Sequence, residues 1–318
     1  MIFSRHRSAV PSARALLLRR GGHDPVDGAE AFGPEPEEGT VLEGRWTLEE
    51  RTARTRATVT YKARDRNGRR ALVRVVRPVL EDPAGLAFAA TLLLHDHADR
   101  ALAVDHPNVV RLLGRGSDMA WEYVVEEAVE GHDARALRAN RRGGRFFVGE
   151  VVEVGLAALS ALDAAHRVGA VHGGLRPASL ILCDGRLWKV QGLGLAALAY
   201  LDLDGRGLVD RAARYAAPEV ITAAAYSPGA DLYALAGALW TLGEGSSPFG
   251  PSIPEAVRGN LSHPVPSPQV LPREVAAVLA RALEKDPADR WASASDMWAA
   301  LDEAAPSGEA ARASRRPA

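Results

Sequence analysis

Two β-rich runs, Thr58–Ala63 and Ala71–Val76, flank the polar stretch Asp65–Arg70, a pattern that predicts a β-hairpin. Trp121–Ala128 predicts a further strand, and Ala84–Val104 between them reads as a helix. From about Val148 helical patterns dominate. Val148–Val168 is a long apolar helix, and Asp231–Leu242 is so nearly all apolar that it predicts a helix buried on every side. Val275, Val278, Leu279 and Ala282 recur at helical spacing, and Ser293 with Asp296 resembles a capping box ahead of Met297 and Leu301. A strand-rich first part followed by a helical second part predicts an α+β fold with two lobes.

Gly, Pro and acidic residues crowd Gly21–Gly39, so residues 1–40 are expected to form a disordered tail, and residues 304–318 a second one. The domain between them covers 41–303, with an N-lobe over 41–130 and a C-lobe over 131–303. The chain has 318 residues, 47% hydrophobic and 25% charged, as in ordinary globular proteins. A net charge of −1 argues against a nucleic acid or an anionic membrane as partner. Only Lys62, Lys189 and Lys285 are lysines; all other basic residues are arginines. Cys183 is the single cysteine, so no intrachain disulfide forms, which fits a reducing cytoplasm. No uncharged apolar stretch exceeds Leu232–Gly243 or its equals, short of the roughly 20 residues a membrane helix needs. The apolar run Ala15–Leu18 is too short for a signal peptide. A cytoplasmic location is expected.

Nine short segments, each weak alone, follow one another at consistent spacing. They are YKARD at Tyr61–Asp65, ALVRV at Ala71–Val75, HPNVVRL at His106–Leu112 and VVEEAVEG at Val124–Gly131; then VHGGLRPASLIL at Val171–Leu182, KVQGLGLA at Lys189–Ala196, YAAPE at Tyr215–Glu219 and ADLYALAGALW from Ala230, with KDPADRW at Lys285–Trp291 closing the domain. In this order they resemble a bacterial serine/threonine protein kinase domain over roughly Val41 to Glu303. The resemblance implies a two-lobed kinase-like fold, a buried ion pair between Glu219 and Arg290, and an Asp231 that holds the loop backbone around His172.

The resemblance fails where phosphoryl transfer needs charge, since that reaction depends on positioning and electrostatic stabilisation. The glycine positions of the phosphate loop fall on Ala53, Thr55 and Thr58 in RTARTRATV. Arg54 and Arg56 there form either a basic lid over an anion or an exposed, solvated hairpin. The third-strand lysine is Arg74, not equivalent at a fitted site. The helix glutamate that usually pairs with it falls on His97. The run His95–Asp96–His97 is a weak candidate metal site, because residues two apart on a helix do not share a face.

In the loop pattern H-R-D-L-x-x-x-N, Gly173 replaces the arginine, Gly174 the aspartate that accepts the hydroxyl proton, and Ser179 the asparagine that holds magnesium. Gly192 replaces the D-F-G aspartate, the principal magnesium ligand, and glycine offers no side-chain oxygen. Asp184 reads as a turn former in CDGR, with a migrated metal ligand as the lesser reading. The position before the hinge is Glu126, expected to approach Arg74 and block the nucleotide site from inside; a one-residue slip in register exposes it instead. From Leu195 to Ala217 no Ser or Thr is present to carry a regulatory phosphate, and Ala212 takes the usual threonine position.

The vacated positions Arg74, His97, Gly174, Ser179 and Gly192 imply a catalytically inactive member, a pseudokinase. It acts as a scaffold or regulator for an unidentified protein partner, without metal or cofactor. A partner surface is expected on an exposed apolar patch of the helical lobe or on the segment Leu195–Asp210. Two alternatives remain: a nucleotide-binding sensor without turnover, for which Arg74 and Glu126 are the weak binding candidates, and a weak or atypical ATP-dependent serine/threonine kinase using Arg74, Arg54, Arg56 and Asp184. ATP enters only under these alternatives, and magnesium as a ligand partner only under the second.

Overall fold

The computed structural model describes residues 33–55, 58–78, 86–118, 121–184, 187–195, 211–223 and 225–305. Residues 1–32 and 306–318 of the expected tails, Arg56, and all of Leu195–Asp210 except Leu195 lie outside them.

The first lobe is a six-stranded antiparallel sheet in the order β1-β2-β3-β4-β6-β5, built from β1 (Val41–Leu42), β2 (Trp46–Arg54), β3 (Thr58–Asp65), β4 (Arg70–Val76), β5 (Leu112–Asp118) and β6 (Trp121–Glu127). The predicted hairpin is β3–β4. Asp65 Oδ1 accepts from the N–H groups of Asn67 and Arg69, both at 2.8 Å, which bends the chain back at an Asx-type turn. Helix α1 (Leu86–Ala101) packs against β5.

Strand alternation divides the sheet into two faces. Val59, Tyr61, Val73, Val75, Tyr123 and Val125 point to one side and close with Leu42, Trp46 and Leu48 into a separate apolar core. Residues 33–40, grouped with the tail from composition alone, lie across this core. Pro36 O accepts from Tyr61 O–H (2.6 Å), Pro34 O from Trp121 Nε1–H (2.9 Å), and Gly33 O from Arg77 Nε–H (3.1 Å). A proline-rich strap donates few N–H groups of its own, so its carbonyls satisfy the side chains beneath it. That reciprocal use of polar groups is invisible in composition.

The second lobe is helical: α2 (Ala134–Ala139), α3 (Val148–Arg167), α4 (Pro218–Ala223), α5 (Pro228–Glu244), α6 (Ile253–Ser262), α7 (Arg273–Ala282) and α8 (Ala294–Glu303). Every residue of α5 from Ala230 to Gly243 is buried, as the unbroken apolar run predicts. Ser227 caps its start by accepting from Ala230 N–H, and Gly245 ends it at φ +82°. A small sheet, β7 (Gly131–Asp133), β8 (Leu180–Cys183) and β9 (Leu187–Val190), carries the segments that face the first lobe. Val110 N–H donates to Val190 O at 2.8 Å, joining the lobes along the backbone.

Candidate functional site

On β4, Ala71, Val73 and Val75 enter the separate core, so Leu72 and Arg74 lie on the opposite face, the cleft side, where Val124 joins the core of the second lobe. On β6 the same alternation turns Val124 and Glu126 to the cleft side. Leu72 lies opposite Glu126 and Arg74 opposite Val124, which makes Arg74 and Glu126 diagonal neighbours on one face. The Arg74 guanidinium stands 3.5 Å from Glu126 Oε2. The expected approach occurs, and the register rules out an exposed Glu126, whose side chain is 3% accessible.

The second oxygen has a partner that sequence reading missed: Oε1 accepts from Gly192 N–H at 2.9 Å, 66 positions along the chain. Burying a carboxylate is costly unless both oxygens are compensated. Here a cation from β4 serves one and a backbone dipole from the loop after β9 serves the other. Glu126 thereby links the first lobe to the residue at the D-F-G aspartate position. Gly192 has φ +89°, a conformation that favours glycine, and a Cβ built there lies 3.8 Å from the His172 ring.

The loop around His172 is held by Asp231, in the first turn of α5. Its Oδ2 accepts from His172 N–H (2.8 Å) and pairs with His166 Nε2 (3.0 Å), and its Oδ1 accepts from Gly173 N–H (2.7 Å). The His172 ring is enclosed, with Nε2 2.9 Å from Gln191 O and Nδ1 accepting from Gly174 N–H at 3.3 Å. These partners assign the proton to Nε2 and a neutral ring. Burial, opposed by Asp231 and the carbonyl of Gln191, pushes the pKa of His172 down; burial lowers His97 and His106 likewise.

Below about pH 6.5 the unfolded chain takes up protons that the folded imidazoles refuse, so stability declines as pH falls. Urea midpoints are expected to drop between pH 7 and 5.5, with a shallower drop in His172→Gln. A flat profile contradicts this.

The other vacated positions do not converge. A Cβ added at Gly174 would meet no heavy atom within 4 Å, and the φ of this residue is not left-handed. Ser179 is buried in the short 3-10 turn Pro177–Ser179, and its carbonyl accepts from Gln191 N–H at 2.8 Å. His97 sets its ring edge-on to Tyr226, centroids 6.1 Å apart, and its Nδ1 is buried without a hydrogen-bond partner among the described residues. Helix α1 is instead tied to the sheet by Asp99, which takes two bonds from Arg115 (2.7 and 2.8 Å), and by His95, 2.8 Å from Glu122. His95 and His97 therefore serve different neighbours, and among the described residues no three His, Cys, Asp or Glu side chains gather as a metal site.

Thr55 and Thr58 close the β2–β3 hairpin, Thr55 N–H donating to Thr58 O at 2.8 Å. Arg54 pairs with Glu35 of the strap at 3.0 Å and Arg51 with the same carboxylate at 2.7 Å. Arg54 is thus engaged outside the cleft, as the exposed-hairpin reading has it. Asp184 is exposed in the β8–β9 turn.

Residues 98–300 match the family model described as the protein kinase domain. The serine/threonine-protein kinase PknJ of Mycobacterium tuberculosis is 35% identical over 217 residues, covering 63% of this chain and 36% of that protein. PknK of Mycobacterium bovis is 28% identical over 247 residues, 73% of this chain and 22% of that protein. PknL of Mycobacterium bovis is 28% identical over 283 residues, 86% of this chain and 69% of that protein. The chain thus spans about a fifth to a third of the first two relatives. The crystal structure of the Mycobacterium tuberculosis PknI kinase domain superposes with a TM-score of 0.66 at 24% identity, covering 85% of this chain and all of that one. That likeness shows the two-lobed fold. No helix among the described residues is long and apolar enough to cross a membrane.

Proposed function

The chain belongs to the protein kinase domain family, and from that premise we propose that it is a member without phosphoryl transfer, a cytoplasmic pseudokinase that works by binding another protein. The observation that carries this reading is the contact of Glu126 with Arg74 and Gly192. Phosphoryl transfer needs a cation free to meet the nucleotide and oxygen ligands for magnesium. In this chain the cation is paired internally. The magnesium aspartate is a glycine whose N–H is also taken, and Gly174 supplies no carboxylate to receive a hydroxyl proton.

The test is thermal unfolding with and without millimolar ATP, each with and without magnesium, beside a radiolabelled phosphate-transfer assay on a general protein substrate. The expected result is no transfer and no shift in melting temperature. Transfer that disappears in a folded Arg74→Ala variant overturns the proposal. A shift of several degrees without transfer replaces it with a nucleotide sensor, since a ligand that binds the folded state stabilises it by mass action.

An active kinase is the second reading, favoured by the names of the relatives. Gly174→Asp discriminates. The open space around Gly174 predicts a stability within about 0.5 kcal/mol of wild type, the usual range for a surface change. On the inactive reading this single carboxylate restores no transfer, because the magnesium ligands are still missing. On the active reading the wild type already transfers phosphate, and Gly174→Asp raises the rate.

A further inference from the structure

From the start of α2 to the start of α3 the chain reads ARALRANRRGGRFF, Ala134–Phe147, with arginines throughout and no acidic residue, in a protein whose net charge is −1. The structure divides these arginines into two sets.

Arg138 and Arg141 face inward and fasten the loop. Arg138 donates to Gly144 O at 3.1 Å and to Gly245 O, at the C-terminus of α5, at 2.6 Å. Arg141 takes Glu150 with both terminal nitrogens, one bond at 2.7 Å, and lies 4.2 Å over the Phe146 ring. Phe146 is buried, and its N–H donates to Leu242 O at 2.7 Å. The loop is therefore bolted to the helices around it by Arg138, Arg141 and Phe146.

The outward set is Arg135, Arg142 and Arg145. Arg135 stands 3.7 Å from Asp133. Arg142 and Arg145 are exposed and have no ion-pair partner among the described residues. Arg145 and Phe147 both have extended backbones, so they project to the same side while Phe146 between them turns inward. Phe147 is 53% accessible. The result is a fastened platform that presents to solvent two guanidinium groups without an ion-pair partner among the described residues, and an aromatic ring. Such groups dominate protein interfaces, and holding them in place beforehand lowers the entropic cost of binding.

We propose that this platform is a docking surface for an extended acidic peptide segment of a partner protein, its carboxylates meeting Arg142 and Arg145 and an apolar side chain covering Phe147. The proposal gives a chemistry to the partner invoked above and rests on that binding role. Charge complementarity selects the occupant. A duplex nucleic acid is usually held by some 6–10 phosphate contacts, more than this platform offers. One aromatic ring gives too little apolar area to anchor a membrane surface.

The probe is a fluorescein-labelled peptide of Asp and Glu interrupted by leucines, followed by anisotropy with the full chain. The expected result is saturable binding at low salt (about 50 mM) that weakens several-fold at about 300 mM. Binding is expected to fall at least tenfold in the double variant Arg142→Glu/Arg145→Glu and several-fold in Phe147→Ala. Arg69→Glu, a charge reversal in the exposed β3–β4 turn, is expected to leave it unchanged, and melting curves verify that every variant is folded. No binding, binding indifferent to the double reversal, or equal loss in Arg69→Glu overturns the proposal. So does a preference for vesicles containing phosphatidylserine, or for double-stranded DNA, over the peptide. None of these outcomes bears on phosphate transfer, so failure here is separable from failure of the inactive-kinase reading.

Discussion

Arg290→Met is expected to lower the unfolding free energy by about 3–5 kcal/mol, the usual consequence of removing one partner from a buried ion pair. The Arg290 side chain is fully buried. Its two terminal nitrogens meet Glu219 Oε1 at 2.7 Å and Oε2 at 2.8 Å. Its remaining donors reach Glu284 O (2.8 Å), Gly229 O (3.2 Å) and Lys285 O (3.1 Å), and its plane lies 4.9 Å from the Tyr233 ring centre. One side chain therefore joins α4, the first turn of α5 and the loop after α7. Methionine fills much of the volume and satisfies none of these acceptors, while the Glu219 carboxylate, 19% accessible, loses its counter-charge. A domain is typically stable by only about 5–15 kcal/mol, so the loss is easily seen in urea unfolding. Because both variants break the same contact, Arg290→Met with Glu219→Gln should cost less than the two single changes added together. A loss below about 1 kcal/mol for Arg290→Met contradicts the assignment.

Asp231→Ala is expected to cost about 2–5 kcal/mol, because buried donors left unpaired cost about 1–3 kcal/mol each. The carboxylate is 1% accessible and is the acceptor for His172 N–H and Gly173 N–H and the partner of His166. Hydrogen exchange gives the local readout. The amides of His172 and Gly173 should exchange faster in the variant, by more than the global loss of stability explains. Unchanged protection at those two amides shows that the loop is held by something else.

These two expectations, set beside the near-neutral Gly174→Asp, explain why the chain keeps the frame of a catalytic loop without its charged groups. His172, Asp231, Glu219 and Arg290 each satisfy buried polar atoms of the helical lobe. Gly174 borders open space. The groups retained are those that folding requires. The groups missing are those that only a reaction requires.

Much of this was legible along the chain. The alternation in β3 and β4, the unbroken apolar run of α5 and the Ser293 cap are local patterns whose periods are set by strand and helix geometry, so neighbouring residues suffice to read them. Glycines at positions 174 and 192 removed the carboxylates by identity alone. The order of short motifs also placed Glu126 before the hinge and Arg74 on the facing strand. The pairing register between β4 and β6 then decided that the two share a face, and a slip of one residue reverses that outcome.

The bond from Gly192 to Glu126 belongs to tertiary structure alone, since it joins two lobes and a backbone N–H has no sequence signature. The same holds for the strap at residues 33–40, whose composition signals disorder until its carbonyls meet Tyr61, Trp121 and Arg77. It holds as well for the arginines of α2 and the loop that follows it. In the sequence those residues are chemically equivalent, and only the packing against Gly245 and Glu150 decides that Arg138 and Arg141 fasten the loop while Arg142 and Arg145 face solvent. Residue identity and local period determined the family, the elements and the vacated motif positions. The contacts between distant segments decided which of the remaining charges are engaged within the fold and which face solvent.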